Sequence, residues 1–170
     1  LWGIKKLNSE SAWATTTGSR NIVVAVIDTG VDYNHEDLSG NLWTNIDEIP
    51  SNAIDDDNNG YIDDVRGWNF GRSANSGDDS NDPMDDHGHG THVSGTVAAV
   101  GNNTVGVVGV NWQATIMPIK VFNSSGSGNS VDIARGIKYA ADNGAVVSSN
   151  SYGGIFRSHQ VEDALKNSFE

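Results

Sequence analysis

An α/β fold with a largely parallel sheet is predicted by three features of this chain: short apolar runs rich in β-branched residues, helical patterns between them, and turn residues directly after the runs. Residues 22–28, IVVAVID, are apolar without alternation and end in an acid, which suits a strand buried on both faces. Residues 114–121, ATIMPIKV, and 145–151, AVVSSNS, read as the second and third strands. The small, apolar GTHVSGTVAAV, residues 90–100, fits a helix held close to a sheet, because its glycines are costly in an exposed helix. Asn129 or Ser130 is placed to cap the next helix, with Ile133, Ile137, Ala140 and Ala141 on one face and Gly144 at its end. A last helix is expected to start at Ser158 and carry Val161, Ala164, Leu165 and Phe169 as its apolar stripe. Residues 40–86 show no sustained period and are dense in Asp, Asn, Gly and Ser, so they read as long loops ordered by something other than an apolar core. No repeat or linker divides the chain, and residues 1–170 are expected to form one domain or part of one.

Composition narrows the function classes. A hydrophobic content of 36% with 20 glycines describes a globular chain with many turns. No apolar run approaches the ~20 residues that cross a bilayer, so no membrane partner is expected. The opening LWGIKKLNSESAW lacks a basic stretch followed by an apolar one and reads as a processed start or an arbitrary boundary, not as a signal peptide. With no cysteine, disulfides, thiolate metal sites and a cysteine nucleophile are excluded. The net charge of −12 opposes nucleic acid as a partner, since phosphate binding draws on clustered Lys and Arg. Residues 47–86 carry twelve acidic and two basic side chains, and that segment reads as a cation binder.

Two stretches carry candidate chemistry. Asp28 ends the first strand, at the sheet edge where ligands of parallel α/β folds bind, although an acid there also serves simply to form a turn. DDHGHGTHVSGT, residues 85–96, holds three histidines at the head of a helix. His87, His89 and His92 with Asp85 or Asp86 offer an H-x-H-x-x-H zinc set, loosely similar to that of the metallo-β-lactamase fold, but Thr91 stands where that pattern has Asp. Otherwise His92 is expected to face the packed interior and His87 to be solvated, with His35 and His159 in surface or packing roles. In DDDNNGYIDD, residues 55–64, Asp55, Asp57 and Asn59 alternate before Gly60, the Tyr61 carbonyl follows, and Asp64 or Asp63 closes an EF-hand-like loop. Hard oxygen ligands of this kind select Ca2+ over a transition metal; a solvated acidic loop is the plain alternative.

VIDTGVDYNHEDL, HGHGTHVSGTVAAV and NSYGG resemble, in order and spacing, three signatures of the subtilisin-like serine proteases, and the likeness covers almost the whole chain. It implies a subtilisin-like three-layer fold, incomplete here at the C-terminal side, with Asp28 as the acid that orients a histidine and His89 as the general base. It also implies a second calcium site, from Asp37, the Asn103 side chain and the carbonyls of Val100, Val105 and Val107. Ser151, Tyr152 and Gly153 resemble one edge of the family's substrate cleft, and Gly126, Ser127 and Gly128 the other, so an extended polypeptide substrate would pair with them by main-chain hydrogen bonds. Tyr152 replaces a smaller apolar residue usual there. The family's calcium dependence implies a secreted protein, since extracellular calcium fills sites that cytosolic levels leave empty.

The nucleophile is not expected within these residues. There is no G-T-S and no G-x-S-x-G string; Ser158 reads as a helix cap and Ser168 as a helix end. The family's oxyanion asparagine and its serine both follow the last helix here. The chain therefore reads as the N-terminal part of a serine endopeptidase that supplies Asp and His but not Ser, catalytically silent by itself and paired with a C-terminal half of the catalytic domain. A silent calcium- or peptide-binding module on the same scaffold and the zinc hydrolase are the alternatives.

Overall fold

The chain alternates strand and helix from Trp68 onward, after a first strand that starts at Val23. In the computed structural model, which describes residues 1–71, 79–155 and 157–168, the strands are β1 (Val23–Asp28), β2 (Trp68–Asn69), β3 (Thr115–Lys120) and β4 (Val147–Ser149). The helices are α1 (Trp2–Lys6), α2 (Ser9–Trp13), α3 (His89–Ala98), α4 (Ser130–Asp142) and α5 (His159–Asn167). The strands form one parallel sheet in the order β2-β3-β1-β4. β1 pairs with β3 from Val23 against Thr115 to Asp28 against Lys120, and with β4 from Val24 against Val147.

Alternation along the strands sorts side chains into two layers of core. Ala25 and Ile27 of β1, with Met117 and Ile119 of β3, meet Ile137, Tyr139 and Ala140 of α4 on one face. Val24 and Val26, with Ile116, meet Ala98 of α3, Val31 and Leu38 on the other. Because both faces are covered, β1 and β3 read as continuous apolar runs without polar alternation. Each fully buried Ile or Val removes enough surface from water to contribute about 1.5–3 kcal/mol. Asp28 and Lys120 fall on the α3 face by the same parity, and this alternation carries both charged side chains toward the helix that starts with His89.

The expected helices form, with α4 capped by Asn129, whose side chain accepts from the amides of Val131 and Asp132. Ser158 caps α5 and accepts from Val161, while Val161, Ala164 and Leu165 pack on the core; Phe169 lies outside the described residues. α1 and α2 were not expected from the sequence, since helices of five residues are too short to show a period. β2, two residues long inside the stretch read as loops, escapes detection for the same reason. That stretch has an anchor after all: the Tyr61 ring meets Trp68 and Tyr139 edge-on at 5.0 Å each and Phe70 at 5.8 Å. No helix among the described residues is long and apolar enough to cross a membrane.

Candidate active site

Asp28 is 1% exposed at the end of β1, and its Oδ1 lies 2.7 Å from Nδ1 of His89, the first residue of α3. The same oxygen accepts the amide of Thr29 at 2.7 Å. The His89 side chain is 45% exposed, so one nitrogen of the imidazole is tied to a buried carboxylate while the ring remains open to solvent. Gly90 makes the approach possible: a Cβ there would lie 2.1 Å from the Gly30 carbonyl oxygen and 3.1 Å from Asp28 Cβ. Gly30 itself has φ +105°, a conformation that L side chains rarely adopt. The helix and the turn after β1 thus touch backbone to backbone, which explains one glycine of the α3 motif; Gly95 has nothing within 4 Å and no such reason.

Asp85 organises the start of α3, a role not assigned from the sequence. It accepts from the amides of His87, Gly88 and Thr91 and from the hydroxyls of Thr29 and Thr91, all between 2.6 and 2.9 Å. Burial pushes its carboxyl up, but hydrogen bonds from Thr91, Gly88 and His87 outweigh it and hold the group below the ordinary carboxylate value. The sequence carries the signal, an acid three residues before Gly88 and six before Thr91, whose amides it accepts. Thr29 in turn accepts the Gly90 amide at 2.9 Å, and the Thr91 hydroxyl accepts the Asp32 amide at 2.9 Å.

The three histidines do not assemble as a zinc site: among the described residues, the one group of metal-ligating side chains drawn together is Glu48, Asp55 and Asp57. His87 is exposed, its ring 6.4 Å from that of His89. His92 is exposed and not interior as expected, because the buried residues of α3 are Gly90, Ser94 and Ala98, a stripe of period four that turns position 92 to solvent. His35 accepts the Asp37 amide at 3.1 Å, and His159 opens α5 beside Glu162.

The two loops expected at the substrate edge follow β3 and β4. Gly126, Ser127 and Gly128 are exposed, with Ser127 closing a turn by accepting the Asn123 amide at 3.0 Å. Ser151 and Gly153 are exposed, and half-buried Tyr152 meets Phe122 edge-on at 5.1 Å, joining the bases of both loops. Burial, with the Asp28 charge behind it, pushes the Tyr152 phenol up to about 12.

Of the acidic loop, Asp55 and Asp57 hold carboxylate oxygens within 4.8 Å of one another and of a Glu48 oxygen. Three hard anionic donors so close fit a calcium ion. Glu48 was missed, since it lies seven residues before the loop; it is buried and braces the loop by accepting the amides of Asp56 and Asp63. Asn59 instead donates to Asp57 and Asp64 and accepts the Tyr61 amide. Asp64, expected to close the loop, stands outside that group of three: it is 0% exposed and accepts from Tyr139 at 2.5 Å and Asn45 at 2.7 Å, tying the loop to α4. Asp63 caps the amides of Asn52 and Ala53.

At the other expected calcium site, Asp37 is buried and accepts from Asn103 Nδ2 at 2.7 Å and from the Val107 amide at 2.8 Å. Val105 donates to Asn103 Oδ1 at 3.1 Å, and Val100 donates to the Asp37 carbonyl at 2.9 Å. The residues named for this site are together, with the Asn103 side chain and the Val107 amide both donating to the Asp37 carboxylate.

The family model for the subtilase family matches residues 19–169. The chain belongs to the subtilase family. This subtilase chain is 39% identical over 154 residues to Subtilisin-like protease 1 of Plasmodium berghei (strain Anka), covering 89% of the chain and 25% of that protein. It is 35% identical over 164 residues to Thermitase of Thermoactinomyces vulgaris, covering 96% of the chain and 48% of the relative. Among solved structures, Sphericase matches with a TM-score of 0.68 at 30% identity, over 89% of the chain and 43% of that structure. The fold is therefore the subtilisin-like α/β fold, of which this chain spans less than half the length of the relatives it matches.

Proposed function

We propose that this subtilase chain is the Asp- and His-bearing part of a calcium-stabilised serine endopeptidase, its domain completed by a segment outside residues 1–170. The observation that carries the reading is the 2.7 Å contact between buried Asp28 and half-exposed His89. With Nδ1 held by the carboxylate, the other imidazole nitrogen takes a proton from a serine hydroxyl and returns it to the leaving amine. Asp28 sets the tautomer and stabilises the imidazolium. A serine in that position attacks the scissile carbonyl; residues 1–170 supply its base and the base's orienter.

The loops Gly126–Gly128 and Ser151–Gly153 would hold an extended polypeptide between them by main-chain pairing, with Tyr152 limiting the depth of the pocket. Glu48, Asp55 and Asp57 would hold a calcium ion that neutralises their mutual repulsion and substitutes for disulfides in ordering the long acidic segment. A calcium requirement of this kind suits a secreted enzyme. The test is labelling of purified material, in calcium, with a fluorophosphonate serine probe, followed by denaturing mass analysis of every species. Label on a polypeptide that contains this chain, or on a fragment that co-purifies with it, supports the reading; no label on any species overturns it.

A further inference from the structure

Lys120 ends β3 in register with Asp28 and is only 3% exposed. A buried ammonium is costly unless paired and hydrogen-bonded. Here Nζ donates at 2.6 Å to the carbonyl of Thr29, the residue after the orienting acid, and at 2.6 Å to Asp86 Oδ1 in the loop that launches α3. From the adjacent residue, Asp85 reaches the same turn by accepting the Thr29 hydroxyl at 2.9 Å. The loop before His89 is thus fastened to Thr29 at two points, through its carbonyl by Lys120 and Asp86 and through its hydroxyl by Asp85.

We propose that Lys120 is a positioning residue for the Asp28–His89 pair: its buried ammonium clamps the turn after β1 to the loop before α3 and so sets how carboxylate and imidazole meet. The inference rests on Asp28 and His89 acting as orienter and base of a peptidase. An apolar side chain of equal length would fill the space but leave the Thr29 carbonyl without this donor and Asp86 without its cation.

The clamp also has an electrostatic signature. Among the described residues, His89 meets Asp28 at the end of β1 and the His87 ring, Asp85 and Asp86 lie in the loop before it, Lys120 holds Asp86 from β3, and Tyr152 after β4 feels the charge of Asp28. Lys120 and Asp86 compensate one another. Removing the lysine leaves an anion that favours a protonated imidazole, and removing the aspartate charge leaves a cation that opposes it.

The test is made in the full-length peptidase that carries this chain, measuring kcat and KM against pH at low salt for Lys120→Met, Lys120→Arg, Asp86→Asn and Asp28→Asn. Lys120→Met is expected to lower kcat by roughly tenfold to a hundredfold with little change in KM, the size of effect a small misplacement of reacting groups produces. The acidic limb of its kcat/KM profile should move to higher pH, and that of Asp86→Asn to lower pH, while Lys120→Arg, which keeps the charge, leaves the limb in place. If Lys120→Met does not fold, Asp86→Asn carries the test, since Asp86 is 52% exposed and tolerates replacement. Unchanged kcat and limbs in the Lys120 and Asp86 variants, or limbs that move in the same direction, overturn the inference. Full activity in Asp28→Asn overturns instead the reading of the dyad on which it rests.

Discussion

Asp85 takes five hydrogen bonds on two oxygens, three from amides at the head of α3 and two from threonine hydroxyls. Its replacement by Ala removes this cap, and Asn turns one of the two acceptor oxygens into an N–H donor facing other donors; a loss of about 1–2 kcal/mol is expected in urea unfolding at neutral pH. Because its folded carboxyl lies below the ordinary value of 3.8, its contribution is present above that value and disappears as pH falls through the lower folded value. The stability gap between wild type and Asp85→Asn should therefore narrow in acid; a gap that stays constant down to strong acid would show that the charge is not what holds the helix. Tyr139→Phe makes a complementary case. It takes one donor from Asp64, which is 0% exposed, and should cost about 1–3 kcal/mol. Burial and the Asp64 hydrogen bond raise the Tyr139 phenol well above its usual value, so the native tyrosine contributes below pH ~10, and that contribution is lost as alkali ionises the unfolded chain's phenol. Thermal melts of both variants across pH measure these slopes.

At the scale of elements, the contact between α3 and the turn after β1 explains why two glycines of one helix behave differently. Gly90→Ala places a methyl 2.1 Å from the Gly30 carbonyl, and neither backbone can yield without moving α3 off the sheet. A loss of about 1–3 kcal/mol is expected, with the Asp28–His89 contact lengthened. Gly95→Ala meets nothing within 4 Å and should raise helix stability by about 0.5–1 kcal/mol. Paired denaturation curves decide the matter: equal effects at the two positions would mean that the backbone contact does not constrain α3. The edge strand β4 pairs only with β1 among the described residues; its first residue Val147 is 50% exposed and Val146, just before it, 65%. Such an edge is a template for a further strand.

For the whole molecule, both the open edge and the acidic segment point to stabilisation from outside the covalent framework. Residues 1–170 by themselves are expected to melt broadly or to associate, and a sharp, cooperative transition in a verified monomer would contradict the proposal that another segment completes the sheet. Calcium is expected to raise the melting temperature, since an ion held at a hundred times its Kd adds about 2.7 kcal/mol to the folded state. Chelation should reverse the rise, and Glu48→Gln should abolish it while leaving the aromatic cluster around Tyr61 intact. A melting temperature indifferent to chelator would remove the calcium proposal.

The sequence by itself determined the α/β alternation, the buried strands close to residues 22–28 and 114–121, a cap at Asn129 or Ser130 and another at Ser158, while the pairing of Asp28 with His89 was implied by the resemblance to the subtilisin-like proteases. The strands and caps are written in local chemistry, in runs without polar alternation and side chains that cap amides; the pair rests on the likeness of its two strings to a known family. Only the tertiary structure decided which acids of residues 47–64 draw together. Glu48 joins Asp55 and Asp57 because the loop folds back on itself, while Asp64, expected as a ligand, is buried under Tyr139 by an aromatic cluster with no sequence period. It likewise turned His92 outward and brought Lys120, thirty-one residues beyond His89 in the chain, beneath the loop that precedes it. Long-range contacts of this kind depend on strand order and register, which local patterns leave open until the sheet is assembled.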